Sequence, residues 1–153
     1  MRQQQEEGGT GAAVRVGGGG AGAVGLRFHG LTRSFPQERD DPMRDFLVTA
    51  RSDAVQIQVV VRTWRGDGLD VFLTGLAEDF RGWSGTRTWR SLEGDLTLTA
   101  DHAGRRVRLV WGLHDRFPDD QWRFEVTTEH APGEDMRNLA GEIRGFLEAE
   151  PPP

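Results

Sequence analysis

The chain is 153 residues long, 36% hydrophobic and 28% charged, with a formal net charge of −5, which is the size of one domain of about 100–150 residues. It has no Cys and no Tyr, and all nineteen basic residues are Arg; this excludes disulfides, thiol catalysis, cysteine zinc sites, lysine Schiff bases, the P-loop lysine and phenolic chemistry. The acidic balance argues against a nucleic-acid partner, which normally needs a basic face.

Residues 1–25 hold nine of the 21 glycines and almost no large apolar side chain. Such a segment cannot bury enough surface to offset the entropy of ordering it, so it is expected to be a disordered tail. Met1-Arg2-Gln3-Gln4-Gln5-Glu6-Glu7 lacks the apolar stretch of a secretory signal, and no run of about 18 apolar residues offers a membrane span, so a cytoplasmic location is expected. Pro151-Pro152-Pro153 reads as a short tail. The expected domain is 26–150.

Within it, Leu26 to His29 and Phe46 to Ala50 read as strands, and Val55-Gln56-Ile57-Gln58-Val59 alternates toward Trp64. After the loop Arg65-Gly66-Asp67-Gly68, the residues Leu69, Phe72, Leu73, Leu76, Ala77 and Phe80 recur at helical spacing and predict an amphipathic helix. Asp67 is its expected N-cap, and Arg81-Gly82 its stop. Three strands follow: Thr88–Leu92 leading into Leu96, Leu98 and Ala100, then Val107, Leu109, Trp111 and Leu113, then Trp122, Phe124, Val126 and Thr128. Short turns between them favour antiparallel pairing. Met136, Leu139, Ala140, Ile143, Phe146 and Leu147 make a second apolar stripe, with Glu134 and Asp135 in the first turn where the helix dipole favours acids. These elements predict an α+β domain: an antiparallel sheet of about five to six strands, with one inserted helix and one C-terminal helix packed on it.

Gly17, Gly19 and Gly22 match the dinucleotide-binding spacing after Ala12-Ala13-Val14-Arg15-Val16 by accident of a polyglycine tract, because that strand is short and carries Arg15, Gly25 and Gly30 interrupt any following helix, and no hydrophobic second strand ends in an acid at the expected distance. His29, His102, His114 and His130 include no pair at metal-ligand spacing, and they read as solvated residues at strand ends. Gly82-Trp83-Ser84-Gly85 misses the nucleophile elbow by one position and follows a helix, where an elbow needs a strand. The adjacent acids Asp40-Asp41, Asp119-Asp120 and Glu134-Asp135 fall in loops or at a helix start. No enzymatic role, cofactor or metal is expected.

The unusual segment is Arg81-Gly82-Trp83-Ser84-Gly85-Thr86-Arg87-Thr88-Trp89-Arg90, which has no acid inside an acidic chain. Trp and Arg dominate binding hot spots because they join large contact area to directed hydrogen bonds. Arg81, Trp83, Arg87, Trp89 and Arg90 are therefore the candidate partner-binding residues; the structural alternative is that the tryptophans pack the helix end and start a strand.

Phe80-Arg81-Gly82-Trp83-Ser84-Gly85 and Thr88-Trp89-Arg90-Ser91-Leu92-Glu93-Gly94-Asp95-Leu96 resemble an uncharacterised actinobacterial family known only as a domain of unknown function, over about residues 45–148. The order of elements is also similar to Wap-type immunity proteins, which neutralise bacterial toxins. That resemblance implies a protein-binding domain with a toxin-like partner, and the acidic charge would suit a basic one. The alternative is a small-molecule or nucleotide-binding module with a pocket between sheet and helix. An unpaired sheet edge would also serve self-association.

Overall fold

The computed structural model describes residues 12–35 and 37–150. Eight strands form in chain order: β1 (Val14–Gly17), β2 (Gly25–Thr32), β3 (Met43–Arg51), β4 (Gln56–Trp64), β5 (Arg87–Arg90), β6 (Leu96–Ala103), β7 (Arg106–His114) and β8 (Arg123–His130). A 3-10 turn (Arg65–Gly68) and α1 (Leu69–Glu78) separate β4 from β5, and α2 (Glu134–Glu148) closes the domain. The fold is α+β and the pairing antiparallel throughout, as the alternation predicts.

The expected single sheet of five to six strands is replaced by two sheets of four, in the orders β1-β2-β3-β4 and β5-β6-β7-β8. Every strand pairs with its neighbour in sequence. The one connection that is not a hairpin, from Trp64 to Arg87, carries α1 and leaves both β4 and β5 as sheet edges. The second correction concerns the glycine-rich segment. Val14 and Val16 are buried and register with Phe28 and Leu26, so a strand lies inside the expected tail. Two buried valines at alternating positions, with backbone pairing to β2, outweigh the entropic cost of the glycines around them. Residues 1–11 and 151–153 lie outside the described residues.

Alternation directs one face of each sheet inward. Leu26, Phe28, Phe46, Val48 and Val61 come from the first sheet, and Leu98, Leu109, Trp111 and Leu113 from the second. The sheets meet where the Phe28 ring stands edge-on to Trp111, with centroids 5.7 Å apart. Phe146 of α2 enters the same space, 6.3 Å from Phe28 and 5.5 Å from Phe46, both edge-to-face. Such contacts add about 0.5–1.5 kcal/mol per pair beyond the area that they bury. All six residues of the predicted α2 stripe are buried. In α1, Leu69, Leu73, Leu76 and Ala77 are buried, whereas Phe80 lies beyond the helix and is 49% exposed.

Asp67 is not the N-cap of α1; Gly68, at φ 76°, holds that position. Asp67 instead ties the 3-10 turn to the second sheet. Its carboxylate accepts from the Trp64 N–H (3.0 Å) and the Leu92 N–H (2.6 Å), and its carbonyl accepts from the Trp89 indole N–H (2.8 Å). Arg144 of α2 reaches Asp70 (3.1 Å) and Thr74 (2.9 Å) of α1, locking the two helices together.

Candidate binding groove

The five residues of the Arg/Trp segment do not share one surface. Trp83 is half-buried, donates to the Ala100 carbonyl at 3.4 Å and stands edge-on to the His102 ring. Arg87 stacks over Trp83, 4.8 Å from its ring centroid, and pairs with Asp79 at 2.7 Å. Trp89 is committed to Asp67. Arg81 lies over the ring of Phe80. Arg90 alternates with Trp89 and so projects from the opposite face of β5, beside Gly94 and the hollow that contains His114. Most of this segment's contact capacity is spent on fixing the end of α1 and β5 to the second sheet.

A hollow of about 730 Å³ opens where the edges of β1 and β8 approach each other beside α2. Val16, Val126 and Leu139 supply its apolar lining, and Glu125, Glu129, Asp135 and Glu142 give it four carboxylates against Arg15. Among the described residues neither β1 nor β8 has a second strand partner, so each presents alternate backbone N–H and C=O groups outward. At Gly17 an added Cβ would lie 2.7 Å from the Thr128 methyl. Only glycine permits that approach.

One wall is ordered by a chain of polar contacts. The buried Trp111 indole N–H donates to Thr128 Oγ1 at 3.0 Å, Thr128 Oγ1 is 2.8 Å from His130 Nε2, and His130 Nδ1 lies 3.8 Å from Asp135 Oδ2. Burial holds the His130 imidazole below its ordinary value, with Arg106 adding to the effect and Asp135 opposing it. The arrangement that satisfies every contact has Thr128 donating into Nε2 and the ring proton on Nδ1, facing Asp135. The order hydroxyl, imidazole, carboxylate is that of a nucleophilic array. Here the hydroxyl is buried beneath Gly17 and already accepts from Trp111, and 3.8 Å is too long for a His–Asp hydrogen bond. The array shapes and polarises the groove wall.

The histidines depart from the expected solvated state in a consistent way. His29 Nε2 lies 2.9 Å from Thr49 Oγ1, His114 Nε2 lies 2.8 Å from Thr97 Oγ1, and the His130 side chain is only 11% exposed on Thr128. Burial lowers the pKa of all three. The Thr97–His114 contact crosses Gly112, where any Cβ would collide with both side chains. Sequence reading missed these pairs because each strand shows only a Thr and a His, and cross-strand register decides whether they meet. Thr128-x-His130 alone carried a signal, since residues two apart share a face. Trp122, expected on the buried face, precedes β8 and is 43% exposed.

Among the described residues, no group of three or more His, Asp or Glu is arranged to hold a metal, and no helix is long and apolar enough to cross a membrane. The molecule is thus an α+β domain of two antiparallel four-stranded sheets, with a groove at the seam between them. The chain belongs to DUF6228, a family of unknown function, which it matches over residues 18–150. Comparison with curated proteins and with solved structures finds no match.

Proposed function

We propose that the domain is a non-enzymatic protein-binding module that takes an extended, basic segment of a partner into the groove between β1, β8 and α2. The observation that carries this reading is the convergence of two strand edges, unpaired among the described residues, on one hollow lined by four carboxylates, of which Glu125 and Glu129 also pair with arginines of the second sheet while Asp135 and Glu142 form no ion pair with a described arginine. Strand addition gives affinity through backbone hydrogen bonds, and the acidic walls select charge. We favour a bacterial toxin as the partner class, on the resemblance to Wap-type immunity proteins of the element order as read from the sequence, with neutralisation following from occupancy of its basic segment.

The test is binding of an array of extended peptides that alternate basic and apolar residues, read by fluorescence anisotropy and amide hydrogen exchange. Preferential binding of basic peptides, with new protection along β8 and loss in a Glu125→Arg, Glu142→Arg variant, is the expected result. Equal binding of acidic peptides, or unchanged binding by the variant, would sink the reading. A second reading, a small-molecule or nucleotide-binding module, is favoured by the hollow's volume of about 730 Å³, which suits an organic ligand. Small-ligand binding with no peptide response would select it.

A further inference from the structure

The outer face of the β1–β4 sheet carries a charge arrangement that folding does not explain. Arg15 of β1 is the direct cross-strand partner of Arg27 of β2. Arg51 of β3 registers with Gly25, two residues from Arg27 on the same face, and so is its diagonal neighbour. Direct partners on one sheet face stand about 4.5–5.5 Å apart at Cβ and diagonal ones about 7–8 Å, distances at which like charges repel. All three side chains are exposed, and none forms an ion pair or hydrogen bond with any described residue. Four other outer-face arginines are answered by acids, Arg62 by Asp45, Arg106 and Arg108 by Glu129, and Arg123 by Glu125, whereas Arg90 of β5 also forms no ion pair with a described residue.

Around the three guanidinium groups lies a hollow of about 360 Å³ whose other polar side chains, His29, Thr49, Gln56 and Gln58, are neutral or hydrogen-bonding groups. Thr49 donates to Gln58 at 2.8 Å and meets His29 at 2.9 Å, which fixes the floor. Burial first, and Arg27 second, hold the His29 imidazole below its ordinary value, so it adds hydrogen bonding and no further charge at neutral pH. Gly17, Gly18 and Gly25 leave one end of the hollow free of side chains.

We infer that this face is an anion site for a soluble phosphate ester, with Arg15, Arg27 and Arg51 as its ligating residues. Guanidinium forks match phosphate oxygens bidentately. A phosphate dianion would relieve the repulsion among three cations, where a carboxylate would cancel one charge only. The hollow leaves room for an organic group beyond the phosphate. The site shares Arg15, Gly17, Gly18 and Ala23 with the groove, so Arg15 lies toward the groove's carboxylates as well as toward Arg27, while Arg27 and Arg51 line this hollow and not the groove.

The experiment is an NMR titration of the full chain with inorganic phosphate and with glycerol phosphate, following arginine Nε–H signals at constant ionic strength, with acetate as the control anion. Saturable shifts at Arg15, Arg27 and Arg51, larger for phosphate than for acetate, are expected. Arg27→Gln should weaken binding about tenfold or more, the scale of a lost charge-assisted hydrogen bond, while Arg105→Gln in the β6–β7 turn should leave it unchanged. Thermal unfolding of both variants checks that the fold is retained. Shifts that match those of acetate, or equal affinity in the Arg27→Gln and Arg51→Gln variants, overturn the assignment. Sedimentation with vesicles containing phosphatidic acid, combined with no response to the soluble esters, overturns the soluble source.

Discussion

On the outer face of the β5–β8 sheet, Glu129 stands within 3.7 Å of both Arg106 and Arg108, and Glu125 within 3.4 Å of Arg123. On the outer face of the β1–β4 sheet, Arg15 faces Arg27 across the pair, and neither forms an ion pair with a described residue. Both sheets follow the same rule of alternation, and their inner faces share one core through Phe28 and Trp111. Alternation therefore decides which residues face water, while register decides which of them are answered.

The comparison breaks most severely where the two sheets share support. Phe28→Ala removes the ring that touches Phe46, Trp111 and Phe146, and should cost about 3–5 kcal/mol in urea unfolding, lowering the midpoint of both sheets together. A transition split into two phases would show that the sheets are held independently. Thr128→Val acts on the second sheet alone. It leaves the buried Trp111 N–H unpaired and should cost about 1–3 kcal/mol, with altered tryptophan fluorescence as a second readout.

A pH series sharpens the comparison, because His29 lies on one sheet and His114 and His130 on the other. Each is held below the ordinary imidazole value of 6.5, chiefly by burial. The unfolded chain then binds protons that the folded chain refuses. Their contribution is complete above pH 6.5 and is lost as the pH falls below it toward the folded values. Urea midpoints should decline from pH 7.5 to 5, and His130→Gln should flatten that decline relative to wild type. An unchanged slope would remove His130 from the effect.

The smallest expected effects differ in sign between the faces. Arg27→Gln relieves a like-charge pair and should leave stability unchanged or raise it by up to about 0.5 kcal/mol. Glu129→Gln removes two exposed ion pairs and should lower it by about 0.2–1 kcal/mol, an effect that shrinks in high salt. Equal shifts in the same direction would remove the distinction between the two faces.

The sequence disclosed elements more fully than their assembly. The apolar stripe of α2 was readable residue by residue, as were the buried positions Leu96, Leu98, Ala100, Val107, Leu109, Trp111 and Leu113. Periodicity is a local property, and helix and strand faces follow from it. Val14-Arg15-Val16 also alternates, but three residues beside a polyglycine run are too few to outweigh the composition around them. The division into two sheets was not legible, because hydrophobic patterning does not say whether β5 pairs with β4 across an inserted helix. The groove and the arginine face were hidden for the same reason: Arg15, Arg27 and Arg51 are far apart in sequence, and only pairing brings them together. The Arg/Trp segment stood out because composition within ten residues is visible, whereas the Asp79, Ala100 and Asp67 partners that occupy it are not.

The insertion of Phe146 between the sheets also sets a timetable for synthesis. Strands β1 to β4 emerge from the ribosome as a finished run of hairpins, yet the ring that covers Phe46 arrives roughly 80 residues later. At about 5–20 residues per second, that interval is roughly 4–16 s. For those seconds the nascent N-terminal half shows an aromatic inner face to solvent, and translation speed through β5 to α2 becomes a determinant of yield. Slowing the ribosome between codons 90 and 140 should then send more of the chain to chaperones or aggregates without changing one amino acid.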